Sequence, residues 1–292
     1  MKKKSLDKYL DLGERGKLSR ENKLNELTGK EWIKFTKSWF IHRPPKRREE
    51  EILHPAKFPE TLVGEFIRFF TKEGDWVIDP FLGTGSTAVA CAENNRNCVG
   101  IELVQKYYDV SKRRVDRVLA KSNSQPNISI HHNDALNLLK LPIDRNFIQY
   151  CITSPPYWNQ LERNSIRQKD RKQKNLDTKY SGSQSDLGNC QSYDEFIEKI
   201  CKVFDQVFDL IKVNGYLTVI VNNVYFQSRL YPLAFDLAVA LTKRGVKSWT
   251  MKDEKIWLQD DKPLIALGVN NAWVGNRHHQ YCLILRKELQ NE

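Results

Sequence analysis

Asp79-Pro80-Phe81-Leu82-Gly83-Thr84-Gly85-Ser86-Thr87 decides how this chain of 292 residues is read. The run Trp76-Val77-Ile78 ahead of it is apolar and short, the pattern of a buried strand. Ser86–Asn95 behind it reads as a helix. Gly83 and Gly85 at the junction permit a tight turn and let a ligand approach the backbone. The first N–H groups of a helix starting near Ser86 have no partner within that helix. A strand, a glycine turn and a helix are the first unit of a layered α/β fold.

Outward from this unit the pattern stays regular. Glu60–Lys72 places Leu62, Val63, Phe66, Ile67 and Phe70 on one helical face. Strands are predicted at Cys98–Glu102, Ile128–His131, Phe147–Ser154 and Tyr216–Val221. Helices are predicted at Gln105–Ala120, Ala135–Lys140, Tyr193–Lys212 and Leu233–Arg244. This alternation predicts a doubly wound, mostly parallel sheet covered on both faces. Lys247–Leu258 and Gln280–Lys287 read as final strands with no clear helix between them, hence an antiparallel pair. Residues 1–30 read as helical or poorly ordered. In Glu31–Phe40, Trp32, Phe35, Trp39 and Phe40 fit one apolar helical face. Arg43–Arg48 holds two prolines and reads as a linker. The longest stretch without predicted structure is Trp158–Gln191, and a loop of that length in a compact domain is usually functional.

Two places concentrate chemistry. At the glycine turn, Glu102 closes the strand that follows, where an acid can accept hydrogen bonds from both ribose hydroxyls of a nucleoside. Asp134 follows the third strand, within reach of an adenine edge. Gly83-x-Gly85-x-x-Ala88 with Glu102 also fits a dinucleotide fingerprint. Asp79, however, stands immediately ahead of the glycines and suits a ligand with an ammonium group. S-adenosylmethionine has one, whereas NAD needs room for two phosphates. The second place is Thr153-Ser154-Pro155-Pro156-Tyr157-Trp158, at the end of the fourth strand. Two successive prolines remove two N–H donors and leave the Pro155 carbonyl free to accept. With the Ser154 hydroxyl and the flat faces of Tyr157 and Trp158, this corner suits a planar group bearing an exocyclic amine.

Composition narrows the classes. At 40% hydrophobic residues the chain can bury one sizeable core. Its apolar runs are too short to cross a bilayer. MKKKSLDKYL is basic but lacks an apolar h-region, so no export signal is read and a cytoplasmic location is expected. The six cysteines form no CxxC pair and no metal-ligand spacing, so they read as reduced thiols and no metal is expected. His131-His132 and His278-His279 read as strand-end residues, and Cys151 as packing. Trp249, Trp257 and Trp273 read as either core or nucleic-acid-facing. The net charge of +11 is concentrated: residues 1–50 hold 15 Lys/Arg against 8 Asp/Glu, and residues 161–179 hold 7 against 3. The remainder is neutral. A neutral body with two basic patches is the footprint of a polyanion-binding surface.

These motifs resemble those of the amino-methylating DNA methyltransferases that use S-adenosylmethionine. Asp79–Thr87 is similar to their cofactor motif and Thr153–Trp158 to their catalytic motif. More weakly, His54-Pro55-Ala56-Lys57-Phe58-Pro59-Glu60 resembles the segment before the cofactor strand, and Arg277–Lys287 resembles the last strand. The resemblance spans about residues 39–287. It implies a class I methyltransferase-like fold with a seven-stranded sheet whose last strand is antiparallel. It assigns Asp79, Pro80, Phe81, Gly83, Gly85 and Thr87 to the cofactor turn, Glu102 to the ribose and Asp134 to the adenine. It assigns Ser154, Pro155, Pro156 and Tyr157 to the target base. The Ser-Pro-Pro-Tyr spelling is more typical of cytosine-N4 enzymes; adenine-N6 enzymes more often begin with Asp or Asn. The His-Pro-Ala-Lys-Phe-Pro block often follows the catalytic motif in related enzymes, whereas here the cofactor motif comes first.

The organisation implied is a basic extension over residues 1–45 and a catalytic domain over 46–292, with a basic insertion at about 159–190. The implied partner is double-stranded DNA, with a cognate restriction endonuclease beside it and no membrane. Base-sequence reading falls to the arm, the insertion or loops near 259–277. In the implied chemistry Ser154 and the Pro155 carbonyl draw on the amine's N–H groups, Tyr157 holds the ring, and the nitrogen attacks the sulfonium methyl in line. A duplex target must be flipped out first. The rival readings are an adenine-N6 DNA enzyme, an RNA guanine-N2 methyltransferase, a NAD-dependent oxidoreductase and a non-catalytic DNA-binding module.

Overall fold

The structure is a computed structural model, described here over residues 9–11, 13–15, 17–19, 21–43, 58–158 and 186–289. Most of the basic insertion, and the His54–Lys57 part of the block before the cofactor strand, lie outside these residues.

The central sheet contains strands β3 (Trp39–Ile41), β4 (Trp76–Asp79), β5 (Asn97–Glu102), β6 (Ile128–His132), β7 (Ile148–Thr153), β8 (Ile211–Val221), β11 (Thr250–Leu258) and β12 (His279–Arg286). Their spatial order is β3-β11-β12-β8-β7-β4-β5-β6. Strands β6, β5, β4, β7 and β8 run parallel, and β12 inserts antiparallel between β8 and β11. Two small antiparallel ribbons lie outside it: β1 (Tyr9–Asp11) with β2 (Lys17–Ser19), and β9 (Val224–Phe226) with β10 (Arg229–Tyr231). The helices are α1 (Gly29–Phe35), α2 (Glu60–Phe70), α3 (Ser86–Glu93), α4 (Gln105–Leu119), α5 (Tyr193–Leu210) and α6 (Leu233–Leu241).

Alternate strand residues feed two cores, because successive side chains of a strand point to opposite faces. Val77, Tyr150, Ile152 and Ile220 pack under α2 and α3. Ile78, Cys151, Val219 and Val221 pack under α5 and α6. Both faces are thus covered, which is why the central strands read as unbroken apolar runs. All six cysteines are buried and free, and Trp249 and Trp257 belong to the core. No described helix is long and apolar enough to cross a membrane.

Three expectations are corrected. The sheet has eight strands, not seven; the additional one is β3, which pairs parallel with β11 at Trp39↔Ile256. The apolar face expected over Glu31–Phe40 is a helix only as far as Phe35, after which the chain extends into that strand. The helix starts with a capping box, Thr28 with Glu31; its Phe35 stacks on Phe69 of α2 at a centroid distance of 4.1 Å, and its Trp32 packs tilted on the same ring at 4.8 Å. Lys255 of β11 ends it: buried, it donates its Nζ hydrogens to the Phe35 carbonyl and to the Lys37 carbonyl (2.8 Å). Lys255 thereby supplies the partners that the Phe35 and Lys37 carbonyls lose when the helix ends. Within residues 1–30, read as helical or poorly ordered, Tyr9–Asp11 and Lys17–Ser19 instead form the β1–β2 ribbon, whereas residues 21–28 are irregular.

Candidate active site

The parallel strands β4, β5, β7 and β8 all end at one edge of the sheet, where ligands of open α/β folds bind. A cleft opens there. Pro80, Phe81, Leu82 and Gly83 of the glycine turn form one wall, with Thr84 and Ser86 at the start of α3. Glu102, Leu103, Val104 and Tyr107 form the floor after β5, and Asn133 and Asp134 the side after β6. Ser154 and Pro156 close the cleft from β7. The two candidate motifs, 74 residues apart at Asp79 and Thr153, therefore face one space.

The backbone explains the sequence of the turn. Gly83 and Gly85 have φ of +57° and +89°, a region that residues with a Cβ rarely occupy. At Gly85 a Cβ would also stand 2.8 Å from the Ser111 Cβ of α4. Arg114, buried on the same helix, donates to the Thr84 carbonyl and to Glu60, which fixes the turn against α2.

Asp79 stands behind the wall rather than on it. Its Oδ1 accepts from Thr153 Oγ1 (2.5 Å) and from the Phe81 N–H (3.0 Å), and its Oδ2 accepts from Thr87 Oγ1 (2.6 Å). Asp79 and Thr87 thereby tie the glycine turn to the strand that carries Ser154. Burial pushes the Asp79 carboxyl up to about 6, against the pull of those hydrogen bonds.

Glu102 faces the cleft and also shapes it. Its Oε2 accepts from the Gly83 N–H and its Oε1 from the Val104 N–H, both at 2.7 Å. Burial raises its carboxyl to about 7, and the nearby Asp79 and Asp186 add to that rise. Asp134 caps the short helix after β6, accepting from the Leu136 N–H at 2.8 Å, and its side chain borders the cleft.

In the Ser-Pro-Pro-Tyr corner, Ser154 and Pro156 line the cleft, whereas Pro155 and Tyr157 are buried beside it. The Tyr157 hydroxyl meets the Ser154 side chain and the Asn222 backbone, and donates to Gln280 Oε1 at 3.4 Å. Burial pushes this phenol up to about 12, so it stays a neutral donor. Trp158 belongs to an aromatic cluster with Tyr193, Phe226 and Tyr231, and its Nε1 donates to the Cys190 carbonyl at 2.9 Å. It is a packing residue here rather than an open platform.

Sequence reading missed Phe58, Tyr107, Asn133 and Asp186 as cleft residues. Phe58 lies in the block His54–Glu60, whose resemblance was the available signal. Asp186 caps the turn Leu187–Asn189, accepting from the Gly188 N–H at 2.9 Å, and nothing local marks it as facing Glu102. His132 and His279 are strand-end residues of β6 and β12, and no metal-like cluster exists among the described residues.

The donor set fits S-adenosylmethionine. The described lining includes Glu102, Asp134 and Asp186, with Asp79 behind it, and contains no Lys or Arg. Such a cleft attracts a cation and repels a pyrophosphate. Thr84 Oγ1 and Ser86 Oγ are buried on its wall with no hydrogen-bond partner, and a bound ligand would supply one.

Strand order, the antiparallel β12 and the position of the cleft define a class I methyltransferase fold. Within that class, residues 3–113 match the DNA methylase family model for N6 and N4 enzymes. Over these residues the chain is similar to the amino-methylating DNA methyltransferases. It is 35% identical to the type II methyltransferase M.BglI of Bacillus subtilis over 101 residues, 35% of this chain and 28% of that protein. It is 32% identical to the type II methyltransferase M.HinfI of Haemophilus influenzae over 104 residues, 36% of this chain and 29% of that protein. The chain thus spans under a third of the length of the curated relatives it matches. Among solved structures, a SAM-dependent methyltransferase of Methanosarcina mazei is 10% identical with a TM-score of 0.45, over 75% of this chain and 94% of that one. The family match contains the glycine turn and ends before Thr153–Trp158.

Proposed function

We propose that the protein transfers a methyl group from S-adenosylmethionine to N4 of a flipped cytosine in double-stranded DNA. The observation that carries this is the meeting of an acid-lined nucleoside cleft with the Ser-Pro-Pro-Tyr corner in one space. In this reading Phe81, Gly83, Glu102 and Asp134 contact the cofactor, and Asp79, Pro80, Gly85 and Thr87 shape the turn that holds it. Ser154 and the Pro155 carbonyl accept hydrogen bonds from the exocyclic amine, and Pro156 and Tyr157 fix the ring. The bound cofactor supplies an electrophilic methyl group. The corner's task is to localise the amine lone pair and to aim it, and positioning accounts for most of the rate. The neutral Tyr157 phenol holds the Ser154 side chain in place.

A role as the modification half of a restriction system in the cytoplasm, with a cognate endonuclease, belongs to the same proposal. To test it, the protein is incubated with methyl-labelled cofactor and DNA, and the DNA is digested to nucleosides. N4-methyldeoxycytidine is the expected product. N6-methyldeoxyadenosine would reassign the base, and label on tRNA alone would refute the DNA reading. Replacing Ser154, Pro155, Pro156 and Tyr157 by alanine should abolish transfer while cofactor binding survives; full activity in that variant would sink the site.

A further inference from the structure

We propose that Gln280 sets the direction of the hydrogen bonds at the catalytic corner, and so makes the target pocket prefer an amino group to a carbonyl. The inference rests on the amino-methyltransferase reading above and gives a task to a residue that the reading does not use.

Three strand ends bring the atoms together. Ser154 follows β7, Asn222 follows β8, and Gln280 stands near the start of β12. β8 and β12 pair antiparallel at Val221↔Tyr281, so one further step sets Asn222 opposite Gln280. Side chains alternate along β12: His279 meets the Tyr281 hydroxyl at 3.3 Å on one face, and Gln280 turns to the other. There it reaches Tyr157, 123 residues earlier in the chain, whose hydroxyl donates to Gln280 Oε1 at 3.4 Å. This is the only hydrogen bond of the Gln280 side chain among the described residues. It is long for a bond that serves stability, whereas bonds between catalytic groups commonly tighten only around substrate.

Counting hydrogens gives the direction. A neutral phenol has one to donate, and that of Tyr157 goes to Gln280. The other groups at the same oxygen, the Asn222 backbone and the Ser154 hydroxyl, are then its donors. With its hydrogen turned to Tyr157, Ser154 presents lone pairs alone to the cleft that it lines. An exocyclic amine brings N–H to those lone pairs and is accepted. A ring carbonyl brings a second acceptor and is refused.

The chain from amine to Ser154, to Tyr157, to Gln280 runs one way throughout. Hydroxyls linked in one direction polarise one another, so the Ser154 oxygen becomes a stronger acceptor. That draws on the amine hydrogens and helps to localise the nitrogen lone pair. Without an acceptor at position 280, the Tyr157 hydrogen turns to Ser154 Oγ. The Ser154 hydrogen is then released toward the base, where it suits a carbonyl. Gln280 is thus a positioning residue that acts through Tyr157.

The target sequence and the methylated base are first read from DNA methylated by the wild type. Duplexes are then made with the target base opposite an abasic position, so that opening costs the same for every base. Affinity is measured for the amino base and for its oxo analogue, uracil for cytosine or hypoxanthine for adenine. Gln280→Leu should shrink the amino-over-oxo preference by about fivefold, the worth of one hydrogen bond, and lower kcat while cofactor affinity holds. Gln280→Glu, an acceptor at both oxygens at pH 8, should keep the preference. Tyr157→Phe should shrink it as Gln280→Leu does, which preserves the test should the leucine variant fold poorly. In the Tyr157→Phe background, Gln280→Leu should change nothing further. An unchanged preference in the leucine and phenylalanine variants, or a lost one in the glutamate variant, overturns the proposal. So does a leucine effect that persists without the Tyr157 hydroxyl, since Gln280 would then touch the base itself. If the wild type methylates no DNA, the functional reading fails, and this proposal with it.

Discussion

Cofactor affinity should rise with pH through the titration of Glu102. The carboxyl sits at about 7 in the folded protein against an ordinary 4.5. Its two oxygens already accept from the Gly83 and Val104 N–H groups. A ribose diol adds two more donors, which the anion accepts and the protonated acid cannot fully satisfy. If only the anion binds, the apparent Kd is multiplied by 1 + 10^(7 − pH). That factor is about 11 at pH 6 and about 1.1 at pH 8, a tenfold change worth about 1.4 kcal/mol. Calorimetric titration at constant ionic strength would measure it. The amino group of S-adenosylmethionine has an ordinary range of about 7.7–8.0 and would titrate in the same window. The cleaner probe is therefore 5′-methylthioadenosine, which keeps the diol and lacks that group. Glu102→Gln should bind weakly at pH 8 and show no slope between pH 7 and 8. A wild-type Kd constant within twofold from pH 6 to 8, or an unchanged slope in the glutamine variant, would refute the reasoning. Asp79, at about 6, adds only near the lower end of the range. The sign for stability is opposite. A folded pKa raised above the unfolded one favours folding at low pH, and this contribution is lost as pH rises from 4.5 through 7. The melting temperature of the free protein should fall across that window while the shift produced by cofactor grows.

Gly85→Ala meets both an unfavourable φ of +89° and the Ser111 Cβ at 2.8 Å, and should cost about 3 kcal/mol by chemical denaturation; a cost below about 1 kcal/mol would mean the turn relaxes freely. Truncation separates charge from packing. Residues 1–20 carry 7 Lys/Arg against 3 Asp/Glu, and their removal should flatten the salt dependence of DNA binding without lowering the melting temperature. Removal of residues 1–30 also takes Asn25, which donates to the Phe69 carbonyl at 2.6 Å, and Glu26, which pairs with buried Arg96 at 3.0 Å. That deletion should lower the melting temperature as well, and equal melting of the two truncations would count against the anchoring role.

Much of the fold could be read locally, because local rules govern it. A buried strand needs an apolar run, a sharp exit needs glycine, and an amphipathic helix needs its stripe; each leaves a mark within a few residues. Trp76–Asp79, Gly83, Gly85 and the stripe of α2 are of this kind, and so was the absence of a helix before β12. The Ser-Pro-Pro-Tyr corner was legible for the same reason, since two prolines fix a backbone whatever surrounds it.

What the sequence by itself determined, then, is the order of the main strands and helices from Glu60 onward, the sheet type and the two loops that meet at its edge. The tertiary structure alone decided the work of individual side chains. Asp79 serves Thr87 and Thr153 because β4 and β7 are neighbours, a fact fixed by pairing across 74 residues. Glu102 reaches about 7 chiefly because the packed cleft buries it, and Asp79 and Asp186, brought in from distant segments, add to that rise. Residues 39–41 became a strand because β11 offered an open edge. Trp257 was buried and Trp273 left in water by their positions inside and outside that edge. Hydrogen-bond pairing and burial are sums over neighbours distant in sequence, and no local pattern carries them.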